Sequence, residues 1–368
     1  MKKICILAPV HIYDDIRVFR KEAKTLAQNG YDVTLFARIN KDKTLEGIKI
    51  RSVEYKNRLE RFLKLPFLFL KAIKTNADLY HIHNPDTLLI GFLLKIFGKI
   101  VVYDTHEDFE KKLLIRDWIP KLLKKPIAKL ISFFEMLAGI LFDKVIITQE
   151  ELEERISNTI IIENAPIIDD EFIRKVFVNS QNIVTENDIL RLIYIGSISE
   201  NRGLFRMLKI VKSLNKEVET KLWLIGPQNM YVDKAKKMDS WDFVDYLGRL
   251  PQEKAFSYLI KSDFGMITLL NKGDFFQTNP NKIFEYMTFG IPFIATDFKK
   301  WVNKLDDINA GLFVNVDKTD SISDLVLKVY NDKKTYHTMS DNGKNYIFNK
   351  YNWNIEQKKL LNLYSKLL

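Results

Sequence analysis

The sequence predicts an α/β protein made of two doubly wound, parallel-sheet units in tandem. Three observations carry that prediction. Short continuous apolar runs alternate with helices of amphipathic spacing, as strands covered on both faces require. The alternation occurs twice, on either side of a polar, irregular stretch at 167–188 that reads as a linker. The chain's 368 residues also exceed what one hydrophobic core usually serves.

The first series opens with the apolar run "KICILAPV". Ile16, Phe19, Ala23 and Leu26 then recur at helical spacing until Gly30 ends the helix. "DVTLFA", "ADLYHIH", "KIVVYDTH", "DKVIIT" and "TIIIEN" read as further strands, with helices over 86–97 and 111–141 between them. The second series runs "LRLIYIGS", a helix over 204–215, "TKLWLIGP", "DFVDYLG", a helix over 252–261, "DFGMITLL", a helix in "QTNPNKIFEYMTFG", and "PFIATD". No repeat at solenoid spacing is visible.

Hydrophobic content of 46% and charged content of 28% describe a globular chain, not a disordered one. Cys5 is the single cysteine, which rules out an internal disulfide and fits a reducing cytoplasm. The basic, apolar start resembles a leader peptide, but His11, Asp14 and Asp15 follow without a small-residue cleavage site. A buried first strand explains the run better. No uncharged apolar stretch reaches the length of a membrane span; Glu135, Asp143 and Lys144 interrupt the apolar segment 130–147.

The net charge of +10 is unevenly placed. Residues 111–130 hold seven Lys/Arg against Asp117, with Trp118, Leu122, Leu123 and Ile127 among them. Residues 57–74 hold Arg58, Arg61, Lys64, Lys71 and Lys74 against Glu60, interleaved with Leu59, Phe62, Leu65, Phe67, Leu68 and Phe69. Such segments suit a peripheral anchor on an anionic leaflet, or else pack inward with solvated lysines. They lack a nucleic-acid motif and a stacking pattern, so binding of nucleic acid is the poorer reading.

Neither turn after a leading strand carries a dinucleotide fingerprint. The first reads "APVHIYDDIR", the second "GSISENRG", and no Walker A sequence is present. The informative feature lies in "QTNPNKIFEYMTFG". Thr278 and Asn279 suit a cap and Pro280 the first helical position, so Lys282 falls in the first turn. The helix's partial positive charge disfavours a cation there unless an anion shares the site. Arg202 likewise opens a helix at the ligand-bearing edge of the second sheet. The pair could neutralise a diphosphate without a metal, and Glu285, one turn beyond Lys282, could accept bonds from ribose hydroxyls. In the first unit, His81 and His83 share one side of a strand, and Asp104, His106, Glu107, Asp108 and Glu110 follow another. These could ligate zinc or manganese, or line an acceptor pocket with His106 as hydrogen-bond partner or proton relay. His81 alone reads as a buried structural histidine.

These residues resemble the retaining nucleotide-sugar glycosyltransferases of family 4, which have the GT-B fold. "HIYDDIRVFRKEAKTLAQNGYDVTLFA", "DLYHIHNPDTLL", "VVYDTHED", "IGSISENRGL", "YLGRLPQEK" and "NPNKIFEYMTFGIPFIATD" stand in the order of a bacterial surface-polysaccharide branch. The resemblance implies two Rossmann-like domains facing a cleft. An acceptor domain would span 1–175 and a nucleotide-sugar domain 186–350, with a C-terminal helix at 351–368 crossing back to the first. It places Glu285 on the ribose, Lys282 and Arg202 on the diphosphate, His106 at the reacting sugar and acceptor, and the Gly248–Arg249 backbone near the base. Further substrate-binding positions are His11, Asp15, Arg17 and Asp104 in the first domain, and Gly196, Ser197, Gln277, Asn279 and Asn281 in the second.

Two positions depart from the pattern. Gln277 stands where many members have the first of two glutamates, and Ser197 where an arginine is common. The function so implied is metal-independent, cofactor-free hexosyl transfer from a UDP- or GDP-sugar to a lipid-linked or cell-surface glycan. It would take place in the cytoplasm, at the inner face of the cell membrane. Rival readings are a sugar-nucleotide 2-epimerase of the same fold and a basic nucleic-acid-binding protein.

Overall fold

A computed structural model describes residues 1–114, 116, 119–186, 188–272, 275–276 and 279–368. Its chain divides into two compact units, Met1–Asn164 with Trp353–Leu368, and Ala165–Asn352.

The first unit is built on eight strands: β1 (Lys3–Ile12), β2 (Asp32–Arg38), β3 (Lys43–Leu45), β4 (Ile48–Ser52), β5 (Leu79–His83), β6 (Ile100–Thr105), β7 (Lys144–Ile147) and β8 (Thr159–Ile161). They lie in the order β3-β4-β2-β1-β5-β6-β7-β8, and every pairing is parallel except β3 with β4. The apolar runs are buried because helices cover both sheet faces. One face carries a π-helix (Ile16–Ala23) that continues into α1 (Lys24–Gln28), packing Val18, Phe19, Ala23 and Leu26 on Ile4 and Ile6. Asp15 caps the π-helix, accepting from the Arg17 and Val18 amides. The other face carries α3 (Leu65–Ile73), α4 (Leu88–Ile96) and α6 (Lys121–Leu141), which bury Leu68, Ala72, Leu94 and Ala138. The short helices α2 (Arg58–Leu63) and α5 (Phe109–Leu114) precede α3 and α6.

The second unit holds β9 (Leu190–Ile195), β10 (Thr220–Ile225), β11 (Val244–Gly248), β12 (Phe264–Ile267), β13 (Phe293–Thr296) and β14 (Gly311–Val314). These six are parallel in the order β11-β10-β9-β12-β13-β14, with one apolar cluster on each face. Its helices are α7 (Asp170–Ser180), α8 (Leu204–Leu214), α9 (Met230–Ala235), α10 (Gln252–Ile260), α11 (Asn281–Thr288), α12 (Lys299–Leu305), α13 (Thr319–Asn331) and α14 (Lys333–Lys350). The stretch 167–188 is thus more than a linker. Asp169 caps α7, and Val176 of that helix is buried in the second unit's core. The last helix, α15 (Trp353–Leu367), returns to the first unit and packs Trp353, Leu360 and Tyr364 on the face that holds the π-helix.

In each sheet the strand order reverses once, between β1 and β5 and between β9 and β12. The carboxyl ends at those reversals are where open α/β sheets bind ligands.

Candidate active site

At the reversal of the second sheet, β9 runs into Gly196, whose φ of 144° favours glycine. A side chain there would also have to displace the end of Lys282. A Cβ on Gly196 would lie 2.7 Å from Nζ of Lys282, so the lysine's ammonium rests against bare backbone. Lys282 stands in the first turn of α11, which begins at Asn281 with Pro280 in the capping position; Thr278 lies outside the described residues. Burial pushes the Lys282 ammonium below its usual range, and Arg202 adds to this while Glu285 opposes it. The Arg202 guanidinium carbon lies over the ring of Phe275, 4.9 Å from its centroid. Gly203, beside it, has a φ of 84° and lies so close to the Thr268 carbonyl that no Cβ fits. Two cations are therefore fixed near one another at the end of a parallel sheet, an arrangement that an anion stabilises.

Gly196, Arg249, Lys282 and Glu285 line one open pocket of about 650 Å³. Leu250, Pro251 and Phe256 give it an apolar side. Gly248, just before Arg249 in the chain, accepts at its carbonyl from the Gly226 amide at 2.9 Å. Ser197 is exposed, and its carbonyl is bound by the Tyr194 hydroxyl at 2.7 Å. Asn281 is exposed and Asn279 half-buried at the approach to α11. Gln277 lies outside the described residues.

The first unit gathers four of the chain's five histidines at its own reversal point. His106 follows β6, and its Nδ1 lies 3.2 Å from Oδ1 of Asp104. Arg17 donates to the other carboxylate oxygen of Asp104 at 2.7 and 3.2 Å. Burial alone would raise the Asp104 carboxyl, but Arg17 and His106 hold it well below the usual carboxylate range. Burial lowers His106 to about 4, so its ring is neutral and, with Nδ1–H given to Asp104, Nε2 keeps its lone pair. The His11 ring lies 5.4 Å from the His106 ring and is pinned by Asp15 at 3.0 Å and Asn84 at 2.8 Å.

Arg17 and Asp104, expected among the substrate-binding residues, are buried and bound to each other beside His106. His81 is fully buried as expected, its Nδ1 2.7 Å from the Tyr364 hydroxyl. Sequence reasoning passed over Glu22. Its carboxylate lies 3.0 Å from Nε of Arg17 and 3.2 Å from Nε2 of His83. Burial, with the neighbouring charge of Asp104, pushes it up to about 8.

Ligand atoms of Glu22, His81, His83 and Asp104 all lie within 4.8 Å of one another, close enough for a metal. The Arg17 guanidinium already sits on both carboxylates, and a cation among them would meet that fixed positive charge.

The sequence profile described as Glycosyltransferase Family 4 matches residues 17–168, and that of glycosyl transferases group 1 matches residues 178–346. The chain belongs to the family 4 glycosyltransferases. It moves a sugar from a nucleotide-sugar donor. No curated protein sequence matches the enzyme significantly. Its two parallel-sheet units have the GT-B fold, as solved structures of low identity do. Sucrose-phosphate synthase from Thermosynechococcus elongatus is 15% identical with a TM-score of 0.78, covering 100% of this chain and 99% of that one. WaaG, a glycosyltransferase involved in lipopolysaccharide biosynthesis, is 12% identical with a TM-score of 0.71, covering 97% and 98%. HepE from Anabaena, crystallised with UDP-glucose, is 13% identical with a TM-score of 0.67, covering 100% of both chains. Among the described residues of this glycosyltransferase, no helix is long and apolar enough to cross a membrane.

Proposed function

We propose that this glycosyltransferase moves a hexose from a UDP- or GDP-sugar to a lipid-linked or cell-surface glycan, without a metal, at the cytoplasmic face of the cell membrane. The observation that carries the donor half is Lys282 lying on bare Gly196, with Arg202 near and Glu285 in the same pocket. The two cations and the amides opening α11 hold the diphosphate. Glu285 takes the ribose hydroxyls, and the base lies near Gly248 and Arg249, against Leu250 and Pro251.

In the first unit, His106 serves the reacting sugar and the acceptor, next to His11. Asp104 and Arg17 act through His106 by fixing its tautomer. In a retaining transfer the leaving diphosphate takes the proton of the acceptor hydroxyl on the same face. The protein's share is orientation and neutralisation of the phosphate charge that grows as the bond breaks. The basic segments 57–74 and 111–130 support the membrane half, because an anionic leaflet would draw them to a lipid-linked acceptor.

A thermal-shift screen of nucleoside diphosphates and nucleotide sugars tests the donor assignment. A true ligand at 100 times its Kd adds about 2.7 kcal/mol of stability. Absence of any shift with uridine and guanosine diphosphates overturns it.

A further inference from the structure

The helices on the two faces of the first sheet are finished differently. On α15 the exposed positions are Asn354, Lys358, Asn362, Ser365 and Lys366, all polar, as a solvated helix requires. On the opposite face, α3, α4 and α6 form one layer whose outer surface is apolar. Along α6, Leu122, Phe133, Met136 and Ile140 recur at helical spacing and are all exposed, while Ala128, Glu135 and Ala138 point inward. On α4 the outward stripe is Leu89, Leu93 and Ile96, and on α3 it is Phe67 with Leu70. Leu122, Ile96, Phe67 and Ile140 are 91, 78, 66 and 64% exposed. Leu65 and Leu68, in the same basic segment, go inward, so only part of that segment's apolar content belongs to this surface. Trp118 lies outside the described residues.

The charge on this layer has one sign. Across α3, α4 and α6 the sole acidic residue is Glu135, which is fully buried and bonded inward to Tyr103, Thr105 and Arg155. Lys71, Lys121, Lys125 and Lys129 are exposed on the same helices. An apolar surface flanked by lysines on α3 and the first half of α6, with no outward carboxylate on these three helices, matches a bilayer with anionic headgroups. A second copy of this chain fits poorly, since pairing this face with itself sets lysine against lysine.

We propose that the outer surface of α3, α4 and α6 inserts into the headgroup–acyl boundary of an anionic membrane. The apolar stripes of α4 and the second half of α6 enter the boundary, and the lysines bind headgroup phosphates. This rests on the membrane reading above and names the surface responsible, which extends beyond the two basic segments to α4 and to residues 131–141.

The test is co-sedimentation of the full chain with phosphatidylcholine vesicles, with and without phosphatidylglycerol, at low and high salt. Wild type should bind only the anionic vesicles, and more weakly in high salt. Phe133→Glu with Ile140→Glu should lower binding about ten-fold or more even at low salt. Ile96→Glu should act in the same direction. Asn354→Glu with Asn362→Glu adds the same charge to α15 and should leave most binding intact. Changing Lys121, Lys124, Lys125 and Lys129 to glutamine should abolish the preference for phosphatidylglycerol. Circular dichroism and nucleoside-diphosphate binding report folding and donor grip separately from vesicle binding. If wild type binds anionic vesicles and the Phe133/Ile140 variant binds equally, the surface is wrong and the membrane reading stands. Wild type ignoring anionic vesicles overturns both. A dimer that Ile140→Glu converts to monomer shows a self-association face instead.

Discussion

Replacing Gly196 by alanine probes the diphosphate grip more sharply than deleting a charge. The new Cβ would stand 2.7 Å from both Cε and Nζ of Lys282. Non-bonded carbons settle near 3.5–4 Å, so the ammonium must withdraw by about 1 Å. The φ of 144° adds backbone strain of about 1–3 kcal/mol. A charge-assisted bond to phosphate contributes about 1.5–3 kcal/mol. Lys282→Ala should therefore weaken binding of the nucleoside diphosphate about ten- to a hundred-fold, and Gly196→Ala should approach that loss. The double variant decides. With the lysine gone the methyl group displaces nothing, so affinity should fall no further than in Lys282→Ala alone. Isothermal titration of the four proteins measures this cycle, and urea unfolding measures the strain, which should persist in both backgrounds. If the two losses multiply, Gly196 does not act through Lys282, and the account of the pocket is wrong.

His106→Ala should lower turnover far more than nucleoside-diphosphate affinity, as parallel rate and titration measurements will show, and activity should survive chelator. Arg17→Ala strips a buried partner from Asp104 and Glu22 and should cost about 3–5 kcal/mol in urea unfolding. Glu22→Gln should alter how stability depends on pH. The unfolded chain releases the Glu22 proton near 4.5 and the folded chain near 8, so between these values this group lowers stability as pH rises. The glutamine variant should thus gain on wild type between about pH 5 and pH 8 in urea titrations. A gain in the reverse direction would mean that Glu22 is ionised in the fold.

Most of the architecture was readable because parallel strands buried on both faces leave continuous apolar runs. Lys282 was readable because a cation in a first helical turn runs against the helix's own field. Glu22 was not. It lies five residues after Arg17, a spacing that an α-helical reading sets on another side. The segment is a π-helix, however, with the Arg20 amide bonded to the Asp15 carbonyl, and five-residue spacing then brings Arg17 and Glu22 together. Helix α7 was missed because its surroundings are polar and only Val176 and Ser180 are buried in it. The outward stripe of α6 was hidden for the opposite reason: a helix apolar on both sides carries no single-sided periodicity to read.

The return of α15 to the first unit also sets an order in time. Ala165–Asn352 lie between the two parts of that unit, 188 residues that a ribosome adding about 5–20 residues per second makes in about 10–40 s. For that interval the nascent first unit lacks Trp353, Leu360 and Tyr364, and the hydroxyl that binds His81 is absent. The second unit can close its cores first, although it is translated later. His81 gains its hydroxyl partner only when the tail docks.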